Sequence, residues 1–428
     1  MADTARAGTE PAEEVREWLD ANWSEDITLR EWWGRLAGAG LAFPTWPSGY
    51  GGRGLSAADG RIVAGALTDA GAVAPPMGLG QMMGGPVIID HGTDDQKERW
   101  VRRLAAGLES WCQLFSEPGA GSDLASLQTR AVRDGDVWVV SGQKVWTSGA
   151  RTADRGMLLA RTDPDAPKHK GITYFIVDME QPGIEVRPLK QMDGGATFNE
   201  VFITEAIVPD DQRVGDAHNG WMVAVATLAY ERQGIGGRAP AGVTAGAPGD
   251  RNGQLDTAVG ELKVRAQRTE GQFGPVATSP ADAIDLARRL RRSAEPVMRQ
   301  ELARFWAMGE VHRLNLERAR ARQSSGRQPG PEVSTAKLAS SALAHTARDL
   351  TLGTEGMAGT LLGSDAPDGG RFQQVGLRAH AASIAGGSDQ VQRNIIGERV
   401  LGLPKEPQVD RDVPFRDLKV GTQRRRDT

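Results

Sequence analysis

Apolar positions change their period twice along the chain. From Glu10 onward, Val15, Trp18, Leu19 and Trp23 recur at helical spacing, and Trp32, Trp33, Leu36 and Leu41 continue one apolar face. Phe43 to Gly52 holds Pro44, Pro47, Gly49, Gly51 and Gly52 among its aromatics, so it reads as an ordered loop. Residues 56–71 and 94–108 read as further helices, the second with Thr93 or Asp94 as its N-cap. After Trp111 the period shortens to that of strands. Runs at 137–140, 156–161, 172–177, 183–186 and 198–203 are separated by Asp-Gly, Ser-Gly and Pro-Gly turns. From Trp221 to Arg232 helical spacing returns. The Gly/Ala/Pro-rich segment 234–280 has no clear period and reads as a loop, a lid or a disordered insert. Residues 281–322, 331–360 and 371–400 then read as three long helices, and the tail from Leu403 as extended.

This pattern predicts an α+β protein, mostly α, in the order helices, antiparallel β unit, helices. The boundaries it sets are 1–111, 112–215 and 216–404, with 405–428 as a tail. Composition changes the picture only by exclusion. A chain of 428 residues supports more than one core. The 39% hydrophobic and 25% charged residues suit a globular protein, and a net charge of −4 gives no footprint for nucleic acid. Cys112 stands alone, so no internal disulfide or multi-cysteine metal site is expected. The six histidines show no ligand spacing. No basic-then-apolar leader and no apolar run of about 18 residues is present, which sets the expectation of a cytoplasmic protein without membrane insertion. Arg424 to Arg426 read as a solvated terminus.

Four stretches carry candidate chemistry. Gln113 to Asp123 (QLFSEPGAGSD) is a strand-like run ending in a turn whose Gly119 and Gly121 permit positive φ and close backbone approach to a ligand. Its bland alternative is a Pro-Gly turn. Glu117 precedes Pro118 there and is not a candidate base. In Gly142 to Gly149 (GQKVWTSG), Trp146 offers a flat face and Ser148 a hydroxyl two residues on, the same side of a strand; a core Trp with a surface Ser is the alternative. In Gly386 to Pro404, a glycine pair precedes Ser388, which can N-cap a helix whose free N–H groups suit an anion or carbonyl. Tyr230-Glu231-Arg232 places a carboxylate beside a guanidinium, which alone reads as an ion pair.

In this order and spacing the four stretches, with Phe198 to Ile203 (FNEVFI), resemble the acyl-CoA dehydrogenase family, from the aromatic loop to Pro404. The resemblance implies an N-terminal helical domain, a middle antiparallel β-barrel domain and a C-terminal four-helix bundle. It implies FAD as cofactor, an acyl-CoA substrate, an electron-transfer flavoprotein as partner, a place in lipid metabolism and a tetramer, either of one chain or mixed with a homologous chain. By the same resemblance Gln113, Phe115 and Ser116 line the isoalloxazine, and Gly121 and Ser122 contact flavin and pantetheine or phosphate. Trp146 stacks on the ring and Ser148 bonds near its reactive nitrogen. Ser388 and Gln390 meet the adenine-dinucleotide half, and Gly386 and Gly387 hold the thioester carbonyl.

The chain departs from the family pattern twice. Many members carry a catalytic glutamate where this chain has Gly386; a subset places its base in a Glu-Arg pair after the β domain, which here is Glu231. Loss of that side chain at Gly386 also leaves room for a bulky, branched or cyclic acyl group. Second, the family's Arg-x-x-Phe-Gly run appears as Glu270 followed by Gln272-Phe273-Gly274, so its arginine must come from elsewhere, with Arg288 or Arg289 as candidates. Two other readings share the fold: a flavin-dependent oxidase or N-hydroxylase, and a non-catalytic subunit of a mixed tetramer.

Overall fold

The computed structural model describes residues 10–235, 243–269, 278–324, 330, 333–407 and 410–418. In the N-terminal domain the tryptophans set the core. Helices α1 (Glu10–Asn22), α2 (Leu29–Gly38) and α3 (Ala57–Asp69) enclose Trp32 and Trp33, both almost fully buried. A buried indole N–H needs an acceptor, and the two find the carbonyls of Val73 and Ala74 at 2.8 and 2.9 Å. A π-turn, Gly80–Gly84, runs into α4 (Gly85–His91). Glycine is required there: a Cβ on Gly84 would sit 2.6 Å from the Trp111 ring, and one on Gly85 2.4 Å from the Trp46 ring. The helix expected at 94–108 is α5 (Asp94–Gln96), a π-turn and α6 (Arg102–Ala105), started by a capping box between Thr93 and Gln96.

The middle domain is one sheet. Its strands are β1 (Trp111–Leu114), β2 (Arg130–Asp134), β3 (Val137–Lys144), β4 (Arg155–Arg161), β5 (Ile172–Asp178), β6 (Ile184–Leu189), β7 (Phe198–Pro209) and β8 (Arg213–Val214). Their order is β6-β7-β3-β2-β4-β5-β8, with β1 paired to β4. The expectation of an antiparallel β-barrel is corrected: β6 and β8 end the sheet without pairing to each other, and β1 and β2 both run parallel to β4. The reason lies in the edge. β6 is half exposed along its length and carries Glu185 and Arg187 paired on its surface, which blunts further strand addition. β4 and β5 are buried on both faces, one against the core shared with α4 and α7 (Gly220–Ile235), the other against Trp138, Val140 and Val201.

The Gly-rich segment also differs from the expected loop, lid or disordered insert where it is described. Residues 243–269 pack onto the N-terminal domain and end in α8 (Val259–Thr269). Val243 bridges Val73, Ala258 bridges Thr28, and Ala245, Leu255, Val259 and Leu262 complete the core around Trp32. Glu270 and the Gln272-Phe273-Gly274 run lie outside the described residues.

The C-terminal domain is helical: α9 (Pro280–Arg289), α10 (Pro296–Ser324), α11 (Val333–Glu355), α12 (Arg371–Ala382) and α13 (Asp389–Ile395). The first expected helix, 281–322, breaks where Arg291 adopts φ 58°. The third, 371–400, breaks between Ser383 and Ser388, where Gly386 and Gly387 take φ 65° and 89°. Among the described residues no helix is long and apolar enough to cross a membrane. The tail is not simply extended. Phe415 stacks on the Arg161 guanidinium at 3.7 Å, and its N–H donates to the Ala166 carbonyl at 2.9 Å.

Candidate active site

The turn after β1 is closed by two backbone bonds, Glu117 N–H to the Ala120 carbonyl and the reverse, at 2.9 and 3.1 Å. Gly121 does not take the positive φ its type permits; its missing side chain faces open space instead. Ser116 is half-buried, and Ser122 and Asp123 are exposed beyond the turn. The Phe115 ring is core, edge-on to Tyr174 at 5.9 Å, and its carbonyl accepts from Lys144 Nζ at 3.1 Å. Phe115 therefore offers a ligand no aromatic face.

Beneath this turn lies an ion pair that periodicity does not announce. Lys144 Nζ donates to Glu117 Oε1 at 2.8 Å, with the lysine side chain fully buried and the glutamate's 7% exposed. The same carboxylate accepts from the Gln128 and Thr129 N–H groups at 2.7 and 2.9 Å. Burial pushes the Glu117 carboxyl up, but the Lys144 ammonium and these donors outweigh it and hold it below the usual range. Burial pulls the Lys144 ammonium down. The Val145 N–H donates to the Ser116 carbonyl at 2.9 Å, so both wall segments are stitched together at this point.

β3 ends at Lys144, so Trp146 and Ser148 lie past the strand and its alternation does not set their sides. Trp146 adopts φ 62° and is 57% exposed, its ring edge-on to Phe198 at 5.8 Å. A bulky residue in the left-handed region costs about 1–3 kcal/mol, and such residues cluster at ligand sites. The segment is held in place by pairing with the FNEVFI strand: Thr147 and Asn199 exchange N–H to carbonyl bonds, both 3.0 Å. The neighbouring Thr147 Oγ1 is buried with no partner.

Glu231 is on α7, and Gln113 Nε2 donates to its Oε2 at 3.3 Å across the gap to β1. Burial raises the Glu231 carboxyl above its ordinary range, opposed by the Gln113 bond and the Arg232 charge. Next to it, Tyr230 is anchored to α4 through Asp90 at 2.6 Å.

The third element is the turn between α12 and α13. Ser388 caps α13 by accepting from the Val391 N–H at 3.3 Å, and Gln390 is exposed on the first turn. The residue that shapes the turn is Gln392, fully buried, whose Nε2 donates to the Gly386 carbonyl at 2.9 Å while its Oε1 has no partner. The N–H groups of Gly386 and Gly387 make no backbone bond among the described residues. Arg378 on α12 pairs with the nearly buried Asp193 of the β6–β7 loop, latching this domain to the sheet. Arg289 is engaged bidentately by Asp368 at 2.7 and 3.1 Å, and Arg288 is exposed.

The structure thus joins Gln113 to Glu231 and stitches Ser116 to the start of the Trp146 segment. It places Ser388, Gln390, Gly386 and Gly387 on a separate element that makes no hydrogen bond to either wall segment among the described residues. The residues fit a flat, heteroatom-rich ring with an anionic arm: an exposed indole on strained backbone, open space at Gly121, orphaned polar atoms at Thr147 and Gln392, and free N–H groups at a helix start.

The middle domain of acyl-CoA dehydrogenases matches residues 112–205, the N-terminal domain 2–108 and the C-terminal domain 273–401. The chain is 37% identical over 379 residues to acyl-CoA dehydrogenase IpdE1 of Mycobacterium tuberculosis, covering 88% of each. It is 37% identical over 375 residues to acyl-CoA dehydrogenase FadE34 of the same organism, covering 86% of this chain but 46% of that protein, so it spans about half of FadE34. Among solved structures, the Tcur3481-Tcur3483 steroid ACAD superposes with a TM-score of 0.68 at 27% identity, over 94% of this chain and 98% of that one. With all three domains matched in order, the chain belongs to the acyl-CoA dehydrogenase family.

Proposed function

We propose that the chain binds FAD and removes hydrogen from the α and β carbons of a bulky acyl-CoA thioester, with Glu231 as the base. The observation that carries this reading is the Glu231 carboxylate, withdrawn from water beside β1, in a chain whose alternative base position, Gly386, has no side chain. Bound FAD supplies the hydride acceptor. Glu231 takes the α proton, and desolvation makes its carboxylate a stronger base than one in water. The Gly386 and Gly387 N–H groups are the candidates for holding the thioester oxygen, where charge develops as the proton leaves. Gln113, Phe115, Ser116, Trp146 and Ser148 form the flavin wall, Gly121 and Ser122 its phosphate edge, and Ser388 and Gln390 the adenine-dinucleotide side.

Bulk is supported by two facts. The backbone at Gly386 has φ 65°, a conformation that favours glycine, so no side chain fills this position. A structural relative at 27% identity is described as a steroid ACAD. The C-terminal helices are read as a four-helix bundle through which chains assemble into a tetramer, mixed with a homologous chain as the paired name of that relative suggests. An electron-transfer flavoprotein is the proposed electron acceptor.

The test is Glu231→Gln with anaerobic mixing against straight-chain, branched and steroid acyl-CoAs. The variant is expected to keep FAD and lose flavin bleaching by at least about a hundredfold, the usual scale for a lost general base. Bleaching at the wild-type rate would remove Glu231 from this role, and preference for short straight chains would remove the bulky substrate.

A further inference from the structure

Gln113 is a polar exception on an apolar face. Along β1, Cys112 and Leu114 join the core around Trp138 and Phe175, whereas Trp111 and Phe115 join the core shared with α7. Residues two apart in a strand share a side, so Gln113 belongs with Trp111 and Phe115. Its amide therefore enters the layer between sheet and α7, where a primary amide needs a partner. That partner is Glu231 Oε2, at 3.3 Å. Among the described residues no other side chain is hydrogen-bonded to Glu231.

We propose that Gln113 is a positioning residue for the base, holding Oε2 of Glu231 so that the α proton arrives at Oε1. This deepens the assignment of Glu231 as base and rests on it. An amide N–H can only donate, so the oxygen it holds is a poor landing place for a proton; the other oxygen is left for substrate. The bond also favours the ionised carboxylate against the surrounding burial. The charges around the pair are few. Arg232 lies on the same helix, Arg399 acts on Arg232 from the turn after α13, and Asp90 on α4 is occupied by Tyr230. Arg232 is the weaker of the two groups opposing burial at Glu231, after Gln113.

Two variants and two readouts test this. Gln113→Met keeps the side-chain length and removes the donor; Gln113→Glu brings a second carboxylate to Glu231. The Glu231 midpoint is read as the carboxyl band in a pH-difference infrared spectrum of the purified protein, wild type minus Glu231→Gln, in the absence of substrate. Both Gln113 variants are expected to raise it, Gln113→Glu more. With FAD bound, the acid limb of the flavin-reduction rate moves by the same interval, about tenfold in rate on its acid side per pH unit. An unmoved midpoint in both variants overturns the proposal, whatever the rates do. The two assignments fail separately. Wild-type bleaching in Glu231→Gln with a shifted infrared midpoint sinks the base and leaves the coupling. Lost bleaching with an unshifted midpoint sinks Gln113 alone.

Discussion

The turn at Glu117–Ala120 is pinned from beneath by a deeply buried charge pair, while the turn at Gly386–Ser388 is pinned by a less deeply buried pair that is reached through a chain of hydroxyls and an imidazole. In the first, Lys144 is fully buried and meets Glu117 and the Phe115 carbonyl together. In the second, the partners form a chain whose direction is set by chemistry. Arg348 can only donate, so His345 Nδ1 accepts from it at 2.9 Å. His345 Nε2–H then donates to Ser383 at 2.7 Å, Ser383 to Ser341 at 2.8 Å, and Ser341 to Asp389 Oδ2 at 2.9 Å. Lys337 holds the other oxygen of Asp389, the first residue of α13, at 2.9 Å. A buried charge pair tolerates no loss of one partner. The hydroxyl and imidazole links between Arg348 and Asp389 can lose a member without stranding a buried charge. The sheet side of the site thus rests on a pair whose lysine has no access to solvent, and the helical side on a pair that keeps some access and on neutral links around it.

The largest effect is expected where the buried pair is broken on one side. Lys144→Met leaves Glu117 buried without its counter-charge and should destabilise the protein by about 3–5 kcal/mol, the range for stranding half of a buried pair. Adding Glu117→Gln to it should recover part of that loss, because the stranded charge is gone. Urea denaturation of the single and double variants measures both. Equal stability of Lys144→Met and wild type would mean that the pair is no strut, and the contrast between the two turns would collapse.

Gln392→Leu asks the matching question of the other turn. It removes the donor to the Gly386 carbonyl. An unsatisfied buried acceptor costs about 1–3 kcal/mol. The low end is expected, since Leu also removes the unpaired Oε1 and the turn can admit water. The cost should appear mainly as weaker FAD binding, read by flavin fluorescence during titration, with little change in the urea midpoint. A loss as large as that of Lys144→Met would show that the helical side is as rigid as the sheet side.

The comparison also explains what could be read from the sequence. Helices and strands were legible because each buries one face, and Trp32, Trp33 and the β4 and β5 runs advertise theirs. Strand alternation from Trp138 and Val140 even points Lys144 inward, but a lysine at that position argues against its own burial until Glu117, 27 residues away, is known to meet it. The relay is less legible still, because Ser341 and His345 come from α11, Ser383 from the end of α12 and Asp389 from α13, and none lies in an unusual local pattern. Residues 243–269 hid for a related reason: they complete a core begun more than two hundred positions earlier, through single bridges to Thr28 and Val73 that leave no period of their own. Glu231 was legible only through a resemblance and a missing carboxylate at 386; its Gln113 partner follows from β1 alternation once α7 is known to cover that face.

The smallest effect tests the relay by pH. Burial depresses the His345 imidazolium, helped by the neighbouring Arg348 and His380 charges and opposed by Asp349 and Asp389. Neutral His345 is the form the relay requires, since protonated Nδ1 would face the Arg348 guanidinium donor to donor. A group that stays neutral in the fold but protonates when unfolded contributes stability that is complete above its unfolded pKa of about 6.5 and is lost as pH falls from there toward the lower folded value. Glu117 stays charged through this window, its carboxyl being held below the usual range, so the strut should not respond. The stability difference between wild type and His345→Gln, from urea curves between about pH 7.5 and pH 5, should therefore shrink as pH falls, and the difference between wild type and the Lys144→Met/Glu117→Gln double variant, which holds no stranded carboxylate, should not. The effect is expected to be a fraction of a kcal/mol, because His345 is only half-buried and solvent screens its neighbours. A flat His345→Gln difference across the window would mean that the imidazole is a passive spacer, and that the direction of the relay has no energetic consequence.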